Sequence, residues 1–141
     1  MRKAALILLI CVTSLVAMAD GWQYEGNTGW LPSHKVYFDD SKETMLVISV
    51  AVRDNNVVVF LCLYGEVIDL DFNKRQKYVI FDDEKWDIIE LEGKGRVFCA
   101  FYESAKMVEM LYEKESFTIN VPVKGYGIQT FVFDTHGYPL N

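Results

Sequence analysis

Residues 57–64 are an unbroken run of apolar and aromatic side chains, rich in β-branched residues and closed by Gly65. From Val67 the pattern alternates, with Ile68, Leu70 and Phe72 on one face and Asp69 and Asp71 on the other. The run predicts a strand buried on both sides. The alternation predicts a half-buried strand whose aspartates face water. A strand of the first kind beside one of the second is the inside of an antiparallel sheet.

The same reading extends along the chain. Trp22-Gln23-Tyr24 reads as a short edge strand, and the Gly- and Asn-rich stretch up to Ser33 as loop. A short strand is expected over 35–38, ended by Asp39-Asp40-Ser41-Lys42. A longer one follows over 43–52, with Met45, Val47, Ser49 and Ala51 opposite Leu46, Ile48, Val50 and Val52. Asp54-Asn55-Asn56 predicts a tight hairpin, because Asn and Asp tolerate left-handed backbone. Strands are expected over 77–82, 86–91 and 96–101, joined by turns at Asp82-Asp83-Glu84-Lys85 and Glu92-Gly93-Lys94-Gly95. The final pair covers 117–123 and 126–133. One helix is expected over 104–113, capped by the Ser104 hydroxyl, with Ala105, Val108, Leu111 and Tyr112 on its apolar side and Met107 and Met110 widening it. About eight short strands and one late helix predict a mainly β fold: an antiparallel β-sandwich whose open side the helix covers.

The first residues follow another rule. Arg2 and Lys3 precede an apolar stretch over 6–16 too short to span a bilayer as a helix, and Ala17-Met18-Ala19 is a small-x-small cleavage signal. Residues 1–19 are therefore expected to be a signal peptide and 20–141 a single domain, periplasmic or secreted, with no stable membrane insertion after cleavage. Cys11 lies inside the apolar stretch after Leu9-Ile10, which is not a lipoprotein signal. Removing 19 of 141 residues leaves 122, enough for a real core. It also leaves 12 Lys and Arg against 20 Asp and Glu, so the balance moves from −6 to −8. An acidic exported chain has no long-range attraction for nucleic acid.

Export permits a disulfide between Cys62 and Cys99. Phe60, Cys62 and Tyr64 share one face of their strand, and Val97, Cys99 and Phe101 share one of theirs; both faces are apolar. A bridge between them is expected, and two buried thiols in separate strands are the alternative.

Catalytic chemistry is sparsely represented. The two histidines, His34 and His136, lie in a loop and in the terminal turn. No serine has a nucleophile-elbow sequence, and Cys62 and Cys99 sit mid-strand where a thiolate is poorly stabilised. His34, Asp39, Asp40, Asp134 and His136 can form a metal set only if two loops meet, and no pair has zinc-finger spacing. No metal and no cofactor are expected.

The order of several features resembles a family. They are Trp22 just after the cleavage signal, Asp39-Asp40-Ser41-Lys42 before a strand, and Leu61-Cys62 in the central strand. They continue with Tyr78-Val79-Ile80-Phe81-Asp82 followed by Trp86, the helix at 104–113, then Phe131-Val132-Phe133-Asp134 and Gly137. In this order the chain resembles the small exported β-sandwich proteins related to invasion-associated locus B and to the periplasmic accessory proteins of type VI secretion loci, which also occur in prophages. Ile80 stands where that family often has an arginine, and Cys99 is extra. The resemblance implies an exported, non-enzymatic β-sandwich and supplies no catalytic residues.

The expected function is a binding protein acting on an envelope or secreted protein partner, as an inhibitor or exclusion factor. Exposed strand edges and aromatic loops suit strand addition or loop insertion, with Trp22, Tyr24, Trp30 and Tyr138 as the contact residues. The rival class is a small periplasmic hydrolase using His34 or His136 with nearby acids.

Overall fold

The computed structural model describes residues 21–75 and 77–135, apart from the side chain of Tyr24. The expected signal peptide, Cys11, His136 and Tyr138 lie outside the described residues. The strands are β1 (Gln23–Glu25), β2 (Thr28–Pro32), β3 (Val36–Phe38), β4 (Lys42–Arg53), β5 (Asn56–Gly65), β6 (Tyr78–Phe81), β7 (Glu84–Gly93), β8 (Arg96–Phe101), β9 (Ser116–Val123) and β10 (Gly127–Asp134). The helix α1 covers Ser104–Glu113 between β8 and β9, with the bounds that its periodicity predicts.

All ten strands belong to one antiparallel sheet in the order β1-β2-β4-β5-β8-β7-β6-β9-β10, with β3 also paired to β4. The mainly β expectation with one late helix holds. The two layers expected of a sandwich are opposite walls of this single sheet, which curls until it is nearly closed into a barrel. The seam lies between β10 and the β2–β3 segment, where the His34 amide donates to the Val132 carbonyl at 2.8 Å.

Local sequence explains most of the turns. Asp54-Asn55, Asp82-Asp83 and Lys94-Gly95 each join two paired strands with positive φ at both positions, the geometry that matches the right-handed twist of a hairpin. Strand β2 falls where loop was expected. Gly29 and Pro32 mask the alternation, yet Trp30 and Leu31 pair with Ser49 and Ile48 of β4. Residues 67–72, expected to be a strand, form only the isolated bridge Leu70–Val123. Their alternation serves a plug instead. Leu70 and Phe72 point into the core, and the Asp69 carboxylate accepts the Val97 amide at 2.8 Å rather than facing water.

Between β2 and β3 the register along β4 slips. Pro32 pairs with Val47 and Val36 with Thr44, so residues 33–35 stand opposite only Met45 and Leu46. This is a β-bulge, and it reverses which side chains point inward. Leu31 faces the core before it, Phe38 after it. The Ser33 hydroxyl holds the bulge by accepting the Leu46 amide at 2.9 Å and donating to the His34 carbonyl at 2.8 Å.

The interior is apolar from wall to wall. Leu46, Ile48, Val50, Leu61, Leu63, Phe131 and Phe133 pack with Met107 and Leu111 of α1. The helix closes the end of the barrel where β5 begins, and the 66–77 loop closes the other. Met107 and Leu111 lie at the centre of the buried helix face, while Ala105 and Tyr112 are exposed, against the expected face. Ser104 is not the cap. The N-cap is Glu103, and the buried Ser104 hydroxyl accepts the Val59 amide at 2.9 Å and donates to the Phe101 carbonyl at 2.8 Å. It thus ties helix, β5 and β8 together where β5 runs past its partner. Ser104→Ala leaves a buried amide unsatisfied and is expected to cost about 2–3 kcal/mol. Equilibrium urea unfolding measures this; a loss under about 0.5 kcal/mol would show that the hydroxyl is dispensable.

The expected disulfide is not formed. Leu61 pairs directly with Cys99 across β5 and β8. Leu61 and Cys99 therefore share the inner face, and Cys62, one residue on, points to the outer one. Each cysteine does lie on an apolar face, as its strand pattern predicts, but the faces are opposite sides of one sheet. No disulfide geometry reaches through it. Burial pushes the Cys99 thiol far above its ordinary pKa, so it is not a nucleophile.

Candidate interaction surface

Two constellations on the described surface carry polar groups in defined geometry. The first is the seam. The bulge turns His34 outward, and its Nε2 lies 2.5 Å from Oδ2 of Asp134, near the end of β10. Further along, the Tyr126 ring stacks on Phe38 with centroids 4.4 Å apart. Its hydroxyl donates to Asp39 at 2.5 Å and accepts from Lys42 at 3.4 Å. The Tyr126 hydrogen bond, helped by Lys42, holds the Asp39 carboxyl below the usual carboxylate range. Between these two clasps β10 has no ladder partner on its seam side among the described residues.

The second lies beside it, on the outer face of β6, β9 and β10. Ile80 pairs with Asn120 and Asn120 with Thr130, while Pro122 pairs with Ile128. These side chains stand on the outside because Phe81, Ile119, Val121 and Phe131 take the inside. The 66–77 loop is fastened alongside by the Asp71 amide, which donates to the Pro122 carbonyl at 3.0 Å, and by the Lys124 amide, which donates to the Asp69 carbonyl at 3.0 Å. Asp71, Asn73, Tyr78, Ile80, Asn120, Pro122 and Ile128 together line a cleft of about 110 Å³. Its walls are mainly apolar. At its base the Asn120 Oδ1 is buried with no hydrogen-bond partner among the described residues. Ile128, one of the lining residues, is 74% exposed, and Val132, on the same outer face of β10, is 40% exposed. Exposed apolar side chains beside a cleft with a buried polar atom suit a docking site.

The residues singled out from sequence fall elsewhere. Trp22 is buried within the main core at 9% exposure and Trp30 on the outer face of β2 at 2%, so neither indole is offered at the described surface. The Tyr24 side chain and Tyr138 lie outside what the structure describes. His34 and Asp134 are brought together; His136 is not among the described residues. No group of three or more potential metal ligands occurs among the described residues. No described helix is long and apolar enough to cross a membrane. The cleft was not legible in the sequence, because its lining comes from one loop and three strands that are not consecutive. The one available signal was Asn120 between Ile119 and Val121, a polar side chain on a strand with a buried neighbouring face.

No protein-family model, curated protein or solved structure matches the chain.

Proposed function

We propose that this protein is an exported, non-enzymatic binding module that engages a protein partner through the outer face of β6, β9 and β10. The observation that carries this reading is the cleft over Asn120, with its apolar wall and unsatisfied buried oxygen. A cleft of this size admits one anchoring side chain, and the Asn120 oxygen calls for an N–H donor placed next to it. Ile128 at the cleft and Val132 on the same face of β10 extend the apolar contact beside the anchor. The partner is an envelope or secreted protein, which the module inhibits or excludes.

The test places a photo-crosslinking residue at position 128, with the exposed position 54 in the β4–β5 turn as a control. A cross-link to a protein of the envelope fraction from 128 and not from 54 supports the reading. Ile128→Asp is expected to lower capture of that partner about tenfold or more without changing the melting temperature. Equal cross-linking from both positions, or unaltered capture by Ile128→Asp, would overturn it.

The hydrolase reading draws on one observation, the His34–Asp134 pair, which has the form of an oriented base. The hydroxyls of the two sequence neighbours are already engaged: Ser33 is 5% exposed and bonded within the bulge, and Thr135 donates to the Lys114 carbonyl at 2.8 Å. The pair is better explained as a clasp across the seam.

A further inference from the structure

The cleft over Asn120 also specifies the chemistry of the side chain that fills it, an inference that rests on reading the cleft as the contact site. Two of its polar groups are acceptors without partners. The Asn120 Oδ1 is buried with no hydrogen-bond partner among the described residues. The Asp71 carboxylate lines the same cleft, belongs to an exposed residue and enters no ion pair among the described residues. Asn73 differs from them, because its Oδ1 accepts the Arg75 amide at 2.9 Å.

Register sets the spacing of the two acceptors. Asp71 is fastened to the Pro122 carbonyl through its backbone amide, so it stands level with Pro122, two residues along β9 from Asn120. That is about 7 Å of strand. Ile80, Pro122 and Ile128 supply apolar wall, and the Tyr78 ring stands beside them. This ring already holds one cation: the Lys85 ammonium lies 4.6 Å from its centroid. Lys85 is brought there by the Ile80–Lys85 pair of the β6–β7 ladder, and it forms no ion pair with Asp71.

We infer that the anchor is an arginine side chain of the partner protein. Its aliphatic stem lies along Ile80, Pro122 and Ile128. Its guanidinium donates to the Asn120 Oδ1 from one nitrogen and to the Asp71 carboxylate from another. Two bonds of about 2.9 Å on opposite arms of the fork cover the spacing, whereas a lysine ammonium has to serve both acceptors from a single nitrogen. A neutral donor satisfies Asn120 but leaves the Asp71 charge unpaired beside an apolar wall, and an acidic anchor is repelled by both groups. The net charge of −6 adds a long-range preference for a basic partner.

The test uses tripeptides that differ only in the anchor: acetyl-Gly-Arg-Gly-amide, and the same peptide with citrulline, lysine or leucine in place of arginine. Citrulline keeps the shape of arginine and lacks its charge. Binding to the purified protein is followed by NMR through the Asn120 side-chain amide and the Ile80 and Ile128 methyl groups. The arginine peptide should shift these signals saturably and bind about tenfold more tightly than the citrulline and leucine peptides, with lysine between them. Asp71→Asn should abolish the difference between arginine and citrulline, and Asp71→Glu should keep it. Neither substitution removes the backbone bond to Pro122, and unchanged amide spectra away from the cleft show that the fold is intact. Citrulline, lysine or leucine binding as tightly as arginine would overturn the assignment, as would a preference for arginine that survives Asp71→Asn. Arginine-induced shifts at other carboxylates and not at the cleft, or no shift with any peptide, would overturn it too. The contact reading is decided separately, by the cross-link from position 128: a specific cross-link together with any of these results leaves the contact site standing with an anchor other than arginine.

Discussion

Gly65→Ala is expected to remove about 3–5 kcal/mol of stability, a large part of what a domain of this size has. Gly65 ends β5 at φ +129°, and a Cβ there would meet the Glu43 carbonyl oxygen at 2.2 Å and the Thr44 Cα at 3.0 Å. Those atoms are backbone and cannot swing aside. They also belong to the last rung of the β4–β5 ladder, where Thr44 pairs with Gly65 and the Glu66 amide donates to the Glu43 carbonyl at 3.0 Å. Relief of the clash therefore opens the longest strand pair of the sheet and loosens the start of the 66–77 plug. Gly26 separates the two contributions. It too has positive φ, at +59°, but open space where a Cβ would stand, so Gly26→Ala should cost only about 1 kcal/mol. In urea unfolding, Gly65→Ala should lower the midpoint by roughly 2 M. A midpoint no lower than that of Gly26→Ala would refute the steric account.

Phe117→Ala is expected to cost a similar amount, about 3–5 kcal/mol, for a different reason. Five neighbouring strands supply a row of aromatic rings along the inner wall: Phe133 from β10, Phe117 from β9, Phe81 from β6, Trp86 from β7 and Phe101 from β8. Phe117 stacks on Phe133 with centroids 5.0 Å apart and on Phe81 at 4.8 Å. Phe81 meets Trp86, and Trp86 meets Phe101, at 6.3 and 6.1 Å edge to face. Alanine at 117 leaves a cavity in the middle of this row and removes two stacked contacts at once. Phe117→Leu keeps most of the volume and should lose much less. Thermal and urea melts of the two variants, with near-ultraviolet circular dichroism to follow the aromatic packing, check both statements. A loss below about 1 kcal/mol for the alanine variant would mean that the row is not a structural unit.

Much of this architecture is legible residue by residue. The alternation along β4 assigns Leu46, Ile48 and Val50 to one face and Val47 and Ser49 to the other, and the structure places them so. Asp54-Asn55 and Asp82-Asp83 announce their hairpins because few residues accept left-handed backbone in pairs. The helix bounds follow from its 3.6-residue period. Residues 67–72 show where such reading fails. Their alternation is real, but it is satisfied by a loop that drops Leu70 and Phe72 into the end of the barrel. Ser104 fails in the opposite sense, since a hydroxyl at a helix start suits a cap as well as it suits the buried bridge to Val59.

The faces of β4 and β5, the tight turns, the single helix and the mainly β class are all written in local sequence. These depend on backbone preferences and on side-chain periods that repeat within a few residues. Local pattern does not show that Cys62 and Cys99 stand on opposite sides of the sheet, that Trp30 faces outward, that the bulge at residues 33–35 presents His34 to Asp134, or that Asn120 and Ile128 share a cleft with Asp71. Each of these depends on which strand lies beside which, and in what register. Register is set by the summed packing of side chains far apart in the chain, and a slip of one residue reverses every face.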